Sequence, residues 1–118
     1  MRGNEIEKIM EQTLLYDFYG ELLTDHQKRI YEDVVFGDFS LSEVAEQENI
    51  SRQGVHDLIK RCDKALKDYE SKLGLVKKFQ ETKRLVGEIH RLAGECRNTG
   101  DVTCLQEIER ISEQIESL

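Results

Sequence analysis

Three times along this chain a hydroxyl residue is followed, three positions on, by glutamine or glutamate: Thr24–Gln27, Ser40–Glu43 and Thr103–Gln106. The pattern is a capping box. The hydroxyl satisfies one orphan amide at a helix start, and the longer side chain reaches back to another. Each box therefore marks where a helix begins. No proline interrupts the 118 residues, so nothing between these starts removes a backbone donor. That absence also disfavours a turn-rich sandwich or barrel. The spacing predicts an all-α protein.

A first helix is expected over about Glu5 to Tyr19, with Ile6, Ile9, Met10, Thr13, Leu14, Asp17 and Phe18 recurring at helical intervals. A second runs from about Asp25 to Phe36, with Ile30, Val34 and Val35 inward, and Gly37-Asp38 breaks it. Val34-Val35-Phe36 is the one stretch that could be argued as a strand. A third helix spans about Leu41 to Glu48, and a fourth starts after Ser51 and carries Val55, Leu58, Ile59, Cys62, Leu66, Tyr69 and Leu73 at spacings of three and four.

The junction between the third and fourth helices is the most informative stretch. Two helices cross at a steep angle only where the contact residue is small, and Ala45 is small. Four residues later Asn49 tolerates the left-handed conformation that a tight turn needs. Ile50 points back as a plug, Ser51 caps the next helix, and Val55 and Leu58 fill the wedge. This is a helix-turn-helix pattern. The other reading is an ordinary helical hairpin. The outward face of the second helix carries Arg52, Gln53, His56, Lys60 and Arg61. Arginine and glutamine can pair with base edges, lysine chiefly meets phosphate, and Ser51 opens the helix N-terminus whose amides attract anions. Asp57 lies close to that face and opposes a phosphate.

The formal net charge is −7, which alone would argue against nucleic acid. The charge is blocked, however. Residues 1–50 carry 4 basic and 12 acidic side chains, residues 51–84 carry 10 and 5, and residues 85–118 carry 3 and 7. Screening confines charge effects to about 8–10 Å, so the basic middle can act locally on a phosphate backbone. A solvated helix face would also look like this.

Gly74 ends or weakens the fourth helix. Beyond it Leu75, Phe79, Thr82, Val86, Ile89, Ala93 and Cys96 alternate by four and three, a heptad-like seam. Phe79, Val86, Ile89 and Ala93 are its centre. The seam either packs inside the monomer against the first helix or joins two copies or a partner. Asn98-Thr99-Gly100-Asp101 is a turn, and a last helix puts Leu105, Ile108, Ile111, Ile115 and Leu118 on one side. The expected division is a helix-turn-helix domain over 1–73 and a helical extension over 74–118, a candidate element for forming a homodimer.

No stretch approaches the roughly 20 apolar residues of a membrane span, and the polar start, Met1-Arg2-Gly3-Asn4-Glu5, has no secretory character. No membrane insertion is expected. The three cysteines, Cys62, Cys96 and Cys104, read as reduced thiols of a cytoplasmic protein. His90, Cys96 and Cys104 lack a fourth ligand for zinc. No nucleophile–base spacing and no phosphate-binding glycine loop is present, so neither a catalytic residue, a metal nor a cofactor is expected.

The segment Ser40-Leu41-Ser42-Glu43-Val44-Ala45 followed by Ile50-Ser51-Arg52-Gln53-Gly54-Val55 resembles the region 4 helix-turn-helix of sigma factors. The chain is more closely similar to the YlxM family (UPF0122) of small helix-turn-helix proteins of Gram-positive bacteria, held to bind DNA. The similarity rests on Leu15-Tyr16-Asp17-Phe18-Tyr19, Leu22-Leu23-Thr24-Asp25-His26-Gln27, Asp38-Phe39 with the segment just quoted, the continuation His56-Asp57-Leu58-Ile59-Lys60-Arg61, Tyr69-Glu70-Ser71-Lys72-Leu73 and Lys78-Phe79. It covers about residues 14–80. Two positions depart from the family: Gly54 stands where a helix former such as alanine is expected, and His56 where an aromatic is usual.

The resemblance implies a cytoplasmic regulator that works with the signal recognition particle pathway. Its nucleic acid would be DNA or the RNA of that particle. The alternative is a protein-interaction module, a dimeric helical scaffold docking on the particle's GTPase or on RNA polymerase without touching nucleic acid.

Overall fold

A computed structural model describes residues 2–118. Six α-helices follow one another: α1 (Arg2–Tyr19), α2 (Asp25–Tyr31), α3 (Leu41–Glu48), α4 (Arg52–Leu73), α5 (Leu75–Thr99) and α6 (Thr103–Glu116). A 3-10 turn, Gly20–Leu22, follows α1, and a π turn, Glu32–Phe36, extends α2. No strand occurs among the described residues; Val34 to Phe36 belong to the π turn. The chain divides into two compact units between Gly74 and Leu75. Gly74 takes φ 63° and closes α4 as its left-handed cap, a conformation glycine adopts without the cost a Cβ would add.

The first two capping boxes form as expected. Thr24 Oγ1 accepts from the Gln27 amide at 3.1 Å while Gln27 Oε1 accepts from the Thr24 amide at 3.0 Å. Ser40 and Glu43 repeat the exchange at 3.1 and 3.2 Å. The third expected box does not form. Thr103 is already the first residue of α6, and Asp101 caps it, accepting from the Thr103 amide at 2.9 Å and from its hydroxyl. A carboxylate two residues upstream reaches both donors, so Gln106 has no role there.

In the first unit, Ile30, Val44, Ala45 and Val55 form a buried cluster flanked by Val34, Leu41, Leu58 and Ile59. Helix α1 turns a different side inward from the one its apolar spacing indicates. Ile6 and Met10 are 60% and 61% exposed, Ile9 and Thr13 are exposed too, and Gln12, Leu15 and Tyr19 are buried instead. The reason is polar. Gln12 Nε2 donates to both carboxylate oxygens of Asp63 on α4, at 3.1 and 3.2 Å, and the Tyr31 hydroxyl donates to the same carboxylate at 2.6 Å. A buried glutamine is tolerated when its donors are satisfied. Burial, then the bond to Asp63, raises the Tyr31 pKa far above the ordinary phenol range, so Tyr31 remains a donor. Tyr16 stacks on Tyr31 with ring centres 5.4 Å apart, and Phe36 closes on both, at 5.3 and 5.9 Å.

In the second unit, α5 and α6 form an antiparallel hairpin. Leu85 and Leu92 of α5 and Ile111 of α6 are its buried centre, with Ile89, Cys104, Ile108 and Ile115 against them. The seam expected from sequence is therefore rotated. Ile89 lies inside the hairpin, whereas Phe79, Val86 and Ala93 are exposed, the first two at 43% and 52%. Leu85 and Leu92, spaced by seven like the others, compete for the same heptad role and take it against α6. Leu105 on α6 and Leu118 just beyond it are exposed, so only the middle of the expected stripe is covered. Cys96 and Cys104 are joined in a disulfide, Cα atoms 5.8 Å apart. This corrects the expectation of three reduced thiols: the turn at Gly100, φ 70°, folds the helix ends back onto one another. Cys62 alone is free, and burial followed by the neighbouring Asp63 pushes its thiol up to about 11, which keeps it protonated and unreactive.

Replacing Asp63 with alanine removes the shared acceptor of two buried donors. Urea denaturation of Asp63→Ala should show a loss of about 2–4 kcal/mol, and Tyr31→Phe, which leaves the Gln12 bond intact, a loss of about 1 kcal/mol. Equal losses from the two would show that the clasp does not act through this carboxylate.

Candidate nucleic-acid interface

The corner between α3 and α4 is built from backbone geometry. Helix α3 ends at Asn49, which adopts φ 56° and ψ 44°, the only described non-glycine residue with positive φ. Asparagine reaches this region more easily than most residues because its short amide compensates locally. The Ile50 amide then donates back to the Ala45 carbonyl at 3.0 Å, and the Asn49 amide to the Glu46 carbonyl at 3.3 Å. Both bonds satisfy carbonyls the helix would otherwise leave open. Ser51 starts the next helix, its Oγ accepting from the Gly54 amide at 2.9 Å. Ala45 and Val55 are buried between the two helices, where a larger side chain at position 45 would push them apart. Ile50 is 37% exposed, so it covers the corner instead of plugging it. This arrangement is a helix-turn-helix.

The structure places all of Ser51, Arg52, Gln53, His56, Lys60 and Arg61 on the solvent side of α4, each exposed. They begin at the N-terminus and occupy its first three turns. A shallow depression beside them, about 370 Å³, is lined by Leu41, Arg52, Gln53 and His56. Two contacts on this face are not evident from spacing alone. Gln53 Nε2 donates to Asp57 Oδ1 at 2.9 Å, and His56 Nδ1 lies 3.8 Å from the same oxygen. An i, i+4 pair of amide and carboxylate is a possible helix contact for any such sequence; nothing in the sequence distinguishes it from two solvated side chains.

The surroundings are mixed in sign. On α3, Glu43 and Glu46 are exposed. Glu48 is neutralised: Arg29 grips it at 2.7 and 2.8 Å, His26 stands 3.5 Å away, and the guanidinium holds its carboxyl below the usual carboxylate range. This clasp ties α2 to the end of α3. Lower on α4, Lys67 leans toward Glu11 at 3.7 Å. Among the described residues no three His, Cys, Asp or Glu side chains gather as a metal site, and no helix is long and apolar enough to cross a membrane.

Residues 6–114 match a family model described as "UPF0122: Putative helix-turn-helix protein, YlxM / p13 like". The chain belongs to this family. A UPF0122 protein of Thermoanaerobacter sp. (strain X514) is 46% identical over 107 residues, covering 90% of this chain and 92% of the relative. The UPF0122 protein YlxM of Bacillus subtilis (strain 168) is 42% identical over 102 residues, covering 86% and 93%. A relative from Bacillus thuringiensis (strain Al Hakam) is 39% identical over 113 residues, covering 96% and 98%. The family match extends through α5 and into α6, well past the part of the chain whose motifs carry the resemblance.

Gly54 sits third in α4, where a Cβ would meet Ser51 Oγ at 3.1 Å and Ile50 side-chain atoms at 3.9 Å. Alanine there would gain up to about 1 kcal/mol of helix propensity against a tight contact with the capping oxygen, which can yield by a few tenths of an ångström. Gly54→Ala should therefore stabilise the protein by about 0.5 kcal/mol, and Ser51→Ala should cost about 1 kcal/mol, both read by thermal or urea denaturation. A destabilised Gly54→Ala would show that the cap cannot move.

Proposed function

We propose that this chain is a DNA-binding regulator whose α4 enters the major groove. One observation carries the reading: Arg52, Gln53, His56, Lys60 and Arg61 share an exposed face starting at a capped helix N-terminus. Duplex DNA is favoured over duplex RNA on dimensions. The major groove of B-DNA is about 12 Å wide and admits a helix, whereas that of A-form RNA is deep and narrow and does not. Arg52, Lys60 and Arg61 outnumber Asp57 in the first turns of α4, and screening at about 8 Å isolates them from the distant acidic residues. Glu43 and Glu46 oppose the phosphates, so binding is modest and strongly dependent on salt. The tie to the signal recognition particle rests on the family resemblance, and the particle's RNA is included as a probe for that reason.

Filter binding of the purified chain to genomic duplex DNA, signal-recognition RNA and tRNA at several salt concentrations tests the proposal. With three phosphate contacts, log affinity for duplex DNA should fall by about 2–3 per log unit of salt. Lys60→Glu with Arg61→Glu should abolish retention. Absence of any duplex binding at low salt overturns the reading, and preference for the particle's RNA would move the target from DNA to that RNA.

A second reading has its own observation. Val86 and Ala93 lie seven residues apart on α5, outside the core that α5 makes with α6, in line with Phe79. A seven-residue apolar repeat on one helix matches a seam between two copies of the chain. Sedimentation equilibrium should show a dimer that Val86→Asp with Ala93→Asp converts to a monomer. A wild-type monomer at high protein concentration would dispose of the seam.

A further inference from the structure

The reading face of α4 contains two side chains that are already bonded to one another. Gln53 and Asp57 occupy the second and sixth positions of the helix, one turn apart, and the Gln53 carboxamide donates to Asp57 Oδ1 at 2.9 Å. A carboxylate oxygen accepts, so it is the amide nitrogen of Gln53 that faces Asp57. The glutamine is therefore held in one orientation. Its second N–H and its carbonyl oxygen remain available, and they form the two-point edge with which glutamine meets the N6 amino group and N7 of adenine. The remaining carboxylate lone pairs of Asp57 accept only, and so favour an exocyclic amino group, N6 of adenine or N4 of cytosine, over the O6 of guanine or the O4 of thymine. His56 Nδ1 lies 3.8 Å from the same Asp57 oxygen.

We infer that Gln53 and Asp57 act as one specificity-determining unit that selects a base bearing an exocyclic amino group at one position of the site and rejects a keto base there. The unit explains why a carboxylate sits in a face otherwise suited to phosphate. Asp57 weakens attraction to every DNA sequence alike, and in exchange orients Gln53 and repels the wrong base edge. Arg52, one residue before Gln53, is complementary in kind, since a guanidinium pairs with guanine O6 and N7. The inference rests on the proposal that α4 enters the major groove.

Selection from a randomised duplex pool by the wild-type chain identifies the preferred site. Discrimination at each of its positions is then measured as the affinity ratio between amino-base and keto-base duplexes, for wild type, Gln53→Ala, Asp57→Ala and the double variant. Each single substitution should lower the ratio by about tenfold at one shared position, and the double variant by no more than either. Asp57→Ala should also raise affinity for all duplexes. Reductions that multiply to about a hundredfold in the double variant, or that fall at different positions, overturn the unit. So does an Asp57→Ala variant that gains affinity uniformly and selects the same sequence. Wild-type protein that binds duplex DNA with no base preference overturns this inference and leaves DNA binding standing. Wild-type protein that binds no duplex overturns both.

Discussion

Everything on the candidate interface hangs on one backbone conformation, the left-handed Asn49 at φ 56°. It stops α3 within a single residue, sends the Ile50 amide back to the Ala45 carbonyl, and leaves Ser51 extended and able to cap α4. A residue that resisted positive φ would let α3 run on, and the exposed face of α4 would not start at a free helix end. The small side chain of Ala45 is the second condition, because it lets Val55 come close. The corner thus joins a steric requirement and a dihedral requirement in one stretch of five residues.

The parts of the fold readable from sequence are those governed by local chemistry. The capping boxes at Thr24 and Ser40, the left-handed Asn49 and the Ser51 cap each depend on residues within a few positions, and each forms as the spacing indicates. The bounds of α3 follow from its two ends. The exposure of the candidate residues is legible from the apolar spacing of α4: Val55, Cys62 and Leu66 recur on one side and are buried, which leaves Arg52, Lys60 and Arg61 on the other.

What spacing could not supply is the choice between faces that are nearly equivalent. In α1, both Ile6–Ile9–Met10 and Gln12–Leu15–Tyr19 recur at helical intervals, and the decision falls to Asp63, fifty-one positions from Gln12. In α5, Leu85–Leu92 and Val86–Ala93 are parallel heptad tracks, one step apart, and contact with α6 selects the first. A non-local partner settles the rotation of a helix about its own axis in each case. Asp101 shows the converse error at short range: a carboxylate two residues ahead of Thr103 displaces the capping box that the sequence pattern advertises.

The π turn at Glu32–Phe36 is where α2 holds one residue more than an α-helix would. The Gly37 amide reaches back to the Glu32 carbonyl at 2.9 Å, a five-residue span in place of four. The surplus residue changes the angular phase of all that follows by about a hundred degrees, which brings Phe36 round onto Tyr16 and Tyr31. Chain length in this short segment is therefore a structural variable in its own right: shortening it by a single amino acid, of whatever kind, would rewind the turn and carry the aromatic ring off the stack it covers.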